Sequence, residues 1–243
     1  LPGGSPAAGW LHGLGPFETV ARATRFGVAP RPGRGRDDAP VRWFEFPGCY
    51  VYHVINAWEE GDEVVMAACR MVPNGLTPDV EAYGAYAAMV DVLALRAQPF
   101  IWRMNMRTGE GRAVQLDDRL SEFPVVDGAH VGRKARFAYH VVMDDCAEQR
   151  FCALLKYDLE TGGCERHDFG PGRYGSEPAF AARPDPCAED DGYVVTFVTP
   201  AGGEASEIVV IDAQNFSGAP VARIAAPQRI PAGFHGVWAP GVV

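Results

Sequence analysis

Residues 43–65 read WFEFPGCYVYHVINAWEEGDEVV, and this stretch decides the fold of the chain. Its centre is a run of β-branched and aromatic residues of strand length that surrounds His53 and leads to a polar turn at Glu60-Gly61-Asp62. Such a run, bounded by turn residues, predicts a β-strand. An imidazole inside this strand is either a core histidine bonded to a backbone carbonyl or a metal ligand, and His53 alone does not decide between them.

The composition of the 243 residues is that of a globular chain made of short strands. Hydrophobic residues make up 47%, and the 28 glycines and 20 prolines are scattered between apolar runs, as tight turns require. The net charge is −9 and the pI is about 5.1, while the basic residues are dispersed along the chain. We therefore expect no nucleic-acid partner.

We expect neither a membrane span nor a secretion signal. The longest apolar stretch, residues 82–97, is interrupted by Asp91 and Arg96, and the first residues lack the basic start and apolar centre of a signal peptide. The six cysteines show no C-x-x-C spacing. We interpret them as free thiols and predict a cytoplasmic location.

A repeat of roughly 50 residues begins at Val41. Three strand-like segments end at Gly109, Gly162 and Gly218, which are 53 and 56 residues apart. Units of this length, built from short strands and acidic or glycine turns, are typical of the four-stranded blades of a β-propeller. We therefore predict an all-β fold, a β-propeller that is incomplete in this chain.

The predicted fold is a single partial propeller domain with one helical insert. We divide it into an irregular lead-in (1–40), blade-like units (41–109, 110–162 and 163–218) and the start of a closing blade (219–243). Apolar residues between Thr77 and Gln98 recur at helical spacing. They predict an amphipathic helix inserted into the first unit.

Four ionisable residues occupy nearly equivalent points of successive units. His53, Glu122, Glu177 and His235 are 69, 55 and 58 residues apart, and the first gap contains the predicted helix. The first strand of each propeller blade lines the central axis, so side chains found once per blade on that strand converge. All four could bind iron, manganese or zinc, or the carboxylates could instead accept the far N–H of two metal-bound imidazoles. The glutamates could also be solvated turn residues.

We do not expect the remaining histidines to bind metal. His12 lies in the glycine-rich lead-in, and His130 and His140 flank a basic cluster, where a cation would be repelled. His167 follows a turn and is predicted to be a surface or cap residue.

Seven blocks of sequence follow one another in an order known from a single protein family. The block that starts at His53 is HVINAWEE, which has the form His-x-x-Asn-Ala-Tyr/Trp-Glu. Between Thr24 and Pro240 the others are TRFGV, EFPVVDGAHVGRKARFAY, KYDLETG, GRYGSEPAF, EDDGYVVTFV and PQRIPAGFHGVWAP. Together these blocks resemble the carotenoid cleavage oxygenases, the family that also contains the stilbene-cleaving dioxygenases and the retinoid isomerase of the eye.

The resemblance implies a seven-bladed propeller of which this chain supplies the C-terminal half. Family members bind one Fe(2+) ion through four histidines, with glutamates behind three of them. His53 and His235 match two of the iron ligands, and Glu122 and Glu177 match two of the glutamates, paired with His53 and His235 respectively. The two other histidines belong to blades that would precede Leu1. We therefore expect this portion alone to be inactive.

The reaction that the resemblance implies is cleavage of a conjugated carbon–carbon double bond of a carotenoid or apocarotenoid by O2, with two carbonyl products. No catalytic residue beyond the metal site is expected, because no nucleophile motif stands out. Four aromatic residues near the ligands are candidates for lining the path of the apolar polyene, or else are core residues: Tyr52, Trp58, Phe234 and Trp238. No obligate protein partner is evident, and peripheral membrane contact is left open.

Three alternatives stay open at this point. A metal-free propeller serving as an interaction scaffold, or an inactive relative, predicts no metal at the axis. A hydrolase that uses Glu122 and Glu177 as acid and base predicts the two carboxylates side by side with no imidazole between them. Within the family, the substrate could be a stilbene.

Overall fold

The computed structural model describes residues 23–31, 33, 39–72, 96–143, 150–231, 235–239 and 241. Within these ranges the chain is all-β, as predicted, with fifteen strands and only two short 3-10 turns, Gly128–His130 and Ala213–Asn215. All strand pairs are antiparallel.

The strands form a short ribbon and three larger sheets in chain order. The ribbon pairs β1 (Thr24–Val28) with β2 (Arg42–Phe46). The first sheet runs β3 (Val54–Glu60), β4 (Glu63–Val72), β5 (Arg96–Asn105), β6 (Gly111–Gln115). The second sheet runs β7 (Ser121–Val125), β8 (Phe137–Met143), β9 (Phe151–Asp158), β10 (Cys164–Asp168). The third sheet joins β11 (Arg173–Gly175) and β12 (Ala179–Ala182) to β13 (Gly192–Pro200), followed by β14 (Glu207–Asp212) and β15 (Ala222–Ala225).

The glycines of the sequence repeat lie in the connection before the last strand of each sheet. Gly109 and Gly162 have φ of 86° and 76°, a backbone conformation that glycine adopts without strain. Gly218 lies in the connection between β14 and β15. The glycines therefore recur because each sheet makes a turn just before its last strand. The proposed division at residues 109, 162 and 218 stays a prediction.

The predicted helix lies almost entirely outside the described residues, which omit 73–95. Its last three positions, residues 96–98, are wrong as helix because they belong to β5. This strand pairs with β4 along its whole length, and Ala97 is fully buried. Strand pairing and burial outweigh the helical spacing of the apolar residues there.

Two hydrophobic clusters hold the three sheets together. One contains Ile55 and Cys69 of the first sheet together with Ala138 and Met143 of the second. The other packs second-sheet residues against third-sheet residues; its members include Tyr139, Leu154, Phe180, Val194 and Ile211. Each sheet thus lies against the next along the chain, which brings the starts of β3, β7 and β12 towards one region.

A buried lysine connects the second and third sheets. Lys156 of β9 is 5% exposed, and its ammonium donates to Asp190 Oδ2 (2.7 Å) and to the carbonyl of Ala213 (2.8 Å). The same nitrogen lies 4.4 Å from the centroid of the Phe137 ring. A charge this well buried is tolerated because it is paired and hydrogen-bonded.

The described residues contain no helix long and apolar enough to cross a membrane. The cysteines within them are free thiols, as the sequence predicts, whereas Cys146 lies outside the described ranges.

A polar group is sealed between the first and second sheets. His140 is fully buried, its Nδ1 lies 3.2 Å from Ser121 Oγ, and Ser121 Oγ lies 3.4 Å from Tyr157 OH. Burial lowers the pKa of His140 to about 3, although the negative charge of Asp117 acts in the opposite direction. His140 is therefore neutral in the folded protein at any physiological pH.

This buried histidine makes the protein sensitive to mild acid. The unfolded chain binds a proton at the ordinary histidine pKa of about 6.5, whereas the folded protein does not until about pH 3. The contribution of His140 to stability is therefore complete above pH 6.5 and is lost as the pH falls from there. We expect His140 to lower the free energy of unfolding by about 2 kcal/mol between pH 7 and pH 5.

Urea unfolding of the wild type and of His140→Gln, measured at several pH values, checks this expectation. The wild type should lose more stability between pH 7 and pH 5 than the non-titrating variant does. Equal losses in both proteins would contradict it. Because every other titrating group is common to the two proteins, the difference isolates His140.

Candidate functional site

His53 lies immediately before β3, and its backbone is held by the neighbouring strand. The amide of Cys69 donates to the His53 carbonyl at 3.1 Å, which continues the pairing of β3 with β4. The imidazole itself is partly accessible, with 25% of the side chain exposed. His53 therefore has a fixed backbone and a ring that reaches an open space.

Glu122 of β7 is the partner of His53. The carboxylate is 3% exposed, and its Oε2 accepts a hydrogen bond from His53 Nδ1 at 2.6 Å. Since a carboxylate only accepts, the proton sits on Nδ1 and the lone pair of the ring sits on Nε2. This hydrogen bond raises the pKa of His53 and outweighs burial, which acts in the opposite direction.

The backbone around Glu122 is bent so that the carboxylate folds back on its own strand. The register of β7 against β8 shifts between Glu122 and Val125, and Phe123 has a φ of 49°. The amide of Phe123 donates to Glu122 Oε2, so one oxygen accepts two hydrogen bonds. The bulge thus fixes the position of the acceptor that His53 uses.

His235 and Glu177 form a second pair of the same kind. His235 Nδ1 lies 3.2 Å from both oxygens of Glu177, and the amide of Gly236 donates to Oε2 at 2.6 Å. Glu177 precedes β12 on the third sheet, and its side chain is 10% exposed, against 57% for His235. The carboxylate is therefore the less accessible group of the pair, and the imidazole is the more accessible one.

The two imidazoles meet, although they are far apart in sequence. Their ring centroids are 5.1 Å apart with an interplanar angle of 81°. Phe123 contacts both, at centroid distances of 5.0 Å from His53 and 5.6 Å from His235. The structure thus brings His53, Glu122, Glu177 and His235 to one place as two acid–imidazole pairs.

This donor set fits as part of a metal site. Both rings engage a carboxylate through Nδ1, which leaves Nε2 as the nitrogen with a lone pair, as in proteins where metal-bound histidines are oriented from behind. Two imidazoles bound to one ion by bonds of about 2.0–2.1 Å have ring centroids on the order of 5 Å apart. The described residues contain no group of three or more His, Cys, Asp or Glu that would complete a ligand set.

The carboxylates do not match the hydrolase alternative. Each faces an imidazole, as the hydrogen bonds at 2.6 and 3.2 Å show, and an acid–base pair would need them to face a common substrate position.

The predicted lining residues have different environments. Tyr52 is 44% exposed and lies beside His53, with ring centroids 6.4 Å apart. Trp238 is 50% exposed and borders, with His235 and Glu177, a largely apolar cavity of about 790 Å³. Trp58 is 7% exposed and packs in the cluster between the first and second sheets, the core role that the sequence leaves open. Phe234 lies outside the described residues.

The other described histidines have partners outside the site. His130 Nδ1 lies 3.2 Å from Asp127, and His140 belongs to the sealed group with Ser121. His167 is 5% exposed and donates from Nδ1 to the Phe216 carbonyl at 3.0 Å, so its predicted surface location is wrong. Its ring is covered because β10 lies against the 3-10 turn of the third sheet.

Sequence reasoning missed Phe123 as a member of the site. The neighbouring Pro124 could have indicated an irregular backbone at Phe123, because a proline within a strand marks a bulge or an edge. The missing information was the direction in which such a bulge would turn the phenyl ring.

Comparison with known proteins identifies the family of this chain. The model of the RPE65 family, described as retinal pigment epithelial membrane protein, matches residues 14–240. The chain belongs to the RPE65 family. This membership confirms the resemblance to the carotenoid cleavage oxygenases.

Relatives in this family carry names of carotenoid-cleaving enzymes. A carotenoid 9,10(9',10')-cleavage dioxygenase of Crocus sativus is 37% identical over 234 residues, covering 90% of this chain and 41% of its own length. A carotenoid cleavage oxygenase of Mycobacterium tuberculosis is 34% identical over 227 residues, covering 89% and 42%. The chain therefore spans about two fifths of the length of these two relatives.

A solved structure of the same family superimposes closely. The cobalt-substituted apocarotenoid oxygenase (ACO) of Synechocystis has a TM-score of 0.75 and 27% identity, over 90% of this chain and 44% of that one. The fold of this chain is therefore similar to that of the matching part of the Synechocystis protein.

Proposed function

We propose that this chain forms part of a non-haem Fe(II) dioxygenase that cleaves a conjugated double bond of a carotenoid or apocarotenoid with O2. The observation that carries the proposal is the meeting of His53 and His235, each hydrogen-bonded through Nδ1 to a glutamate that is at most 10% exposed. The names of the RPE65-family relatives from Crocus sativus and Mycobacterium tuberculosis support the substrate class.

We further propose that the three sheets are consecutive blades of a β-propeller. Each is an antiparallel sheet formed by strands that follow one another along the chain, as blades are. His53, Glu122 and Glu177 lie at or just before the first strand of their sheets, apart from the short β11 that precedes β12. Such positions line the axis of a propeller.

In this site His53 and His235 would hold the iron through Nε2. The iron would supply the binding and activation of O2, with further ligands from outside the described residues. Glu122 and Glu177 each hold a proton on Nδ1, so the neutral ring carries its lone pair on Nε2, and the same hydrogen bond restricts rotation of the ring. Phe123 packs against both rings, leaving less room for water beside them.

In the proposed cleavage the two histidines and the two glutamates do not act as acids or bases. A polyene would be recognised by apolar contacts, for which Tyr52 and Trp238 stay the candidates because both are accessible near the imidazoles. Cytoplasmic location and peripheral membrane contact stay predictions.

A chimeric enzyme tests the proposed function. Residues 24–240 would replace the matching segment of the Mycobacterium tuberculosis oxygenase, because this chain covers 42% of that protein. We expect one iron per chimera and O2-dependent conversion of an apocarotenal into two carbonyl products. A folded chimera that binds no iron would favour the metal-free alternative, and one that binds iron but leaves every tested carotenoid and apocarotenal intact would refute the substrate class.

A further inference from the structure

Asn56 of β3 has a buried amide whose hydrogen-bonding capacity is fully used. The side chain is 5% exposed, and Nδ2 donates to the carbonyls of His130 (2.9 Å) and Arg133 (2.7 Å). Oδ1 accepts from the amides of Gly132 and Ala57, both at 2.9 Å. An asparagine can form four hydrogen bonds, and here it forms all of them.

Three of these four bonds reach across from the first sheet to the second. Their partners lie in the connection between β7 and β8, which makes a tight turn at Gly132 (φ 77°). Asn56 is set for this contact by the irregular register of β3 between Val54 and Asn56. The amide therefore binds the backbone of the loop and not its side chains.

The same two sheets are joined a short distance away by the first acid–imidazole pair. His53 lies three positions before Asn56, and Glu122 lies on the strand that leads into the bound loop. The His53–Glu122 hydrogen bond is short, at 2.6 Å, and such a bond requires close control of the separation between the sheets. Asn56 supplies a second, rigid connection between the same two chain segments.

We propose that Asn56 is a positioning residue that sets the distance between His53 and Glu122 by holding residues 130–133 against β3. The effect of Asn56 on iron binding rests on the proposed function, whereas its effect on the distance between His53 and Glu122 does not. Removal of the amide should let β7 move relative to β3, and the hydrogen bond from His53 Nδ1 should lengthen or break.

Two substitutions and one control separate this role from general stabilisation. In Asn56→Asp a carboxylate oxygen replaces the NH2 group and faces two carbonyl oxygens, so the loop is repelled; Asn56→Ala removes the contact without repulsion. Asn105→Asp is the matched control. Among the described residues, Asn105 bonds through Oδ1, which accepts from the amides of Arg107 and Thr108, and aspartate can accept both bonds equally well.

The readout is the His53 Nδ1 proton, observed by NMR of the metal-free full chain with 15N-labelled histidine. We expect a protected signal in the wild type and in Asn105→Asp, and its loss in both Asn56 variants while the sheets remain folded. An unchanged signal in Asn56→Ala would overturn the proposal. Failure of both Asn56 variants to fold would also overturn it, because Asn56 would then support the whole scaffold.

This experiment is independent of the metal. A wild-type chimera that binds no iron would refute the proposed function and leave the NMR result standing. Conversely, an unchanged proton signal would remove the role of Asn56 and leave the iron site untouched.

Discussion

Replacing His53 with alanine in the chimera is expected to abolish iron binding and cleavage together. The substitution removes one of the two nitrogens that face the site and also leaves Glu122, which is 3% exposed, without its imidazole partner. Loss of a partner that only supports a ligand typically costs about 10- to 100-fold in metal affinity or activity. Loss of the ligand itself should therefore exceed about 100-fold.

The measurements are iron content after purification and the rate of apocarotenal cleavage at saturating O2. Glu122→Gln provides the graded comparison, because glutamine keeps an acceptor oxygen but loses the charge, and it should fall within the about 10- to 100-fold range. His130→Ala is the matched histidine control, since its ring lies beside Asp127 and not in the site. Full iron content in His53→Ala would exclude His53 as a ligand.

The second large effect is expected on stability, from Asp190→Asn. This change leaves the 5% exposed ammonium of Lys156 with the Ala213 carbonyl and with Glu165, whose Oε1 is 3.6 Å away. Breaking a buried ion pair by removing one partner typically costs 3–5 kcal/mol. Because Glu165 remains near, we expect the lower end, a loss of about 3 kcal/mol in the free energy of unfolding.

Urea unfolding near pH 7 provides the measurement. Adding Lys156→Met to Asp190→Asn should recover much of the loss, because no unpaired charge is then buried. Asp168→Asn is the control: Asp168 pairs with Arg166 at 2.6 Å but is 63% exposed, so the change should cost less than about 1 kcal/mol. A similar cost for Asp168→Asn and Asp190→Asn would show that burial of Lys156 is unimportant.

The sequence repeat alone predicted which four residues form the site. His53, Glu122 and Glu177 recur at similar intervals because each sheet is formed by contiguous chain and each of these residues lies at or near the start of its sheet, and His235 follows the third sheet. The pairing of each glutamate with its histidine came from the resemblance, since spacing alone left the roles of the carboxylates open.

Other features depend on contacts that no local pattern reports. Residues 96–98 continue a helical spacing of apolar residues, yet they form a strand because they pair with the long neighbouring strand β4. His167 follows a turn, yet a 3-10 turn from another sheet covers its ring. The role proposed for Asn56 depends on a loop more than 70 residues away, and no pattern in the sequence near residue 56 indicates that contact.

The chain-contiguous sheets also set an order of events during synthesis. The first and second sheets are formed by chain that precedes residue 169, so His53 and Glu122 can bond before residue 235 leaves the ribosome. His235 arrives more than 100 residues after Glu122 and completes the second pair only then. A nascent chain that stalls before this residue therefore contains the His53–Glu122 pair but lacks the imidazole that bonds to Glu177.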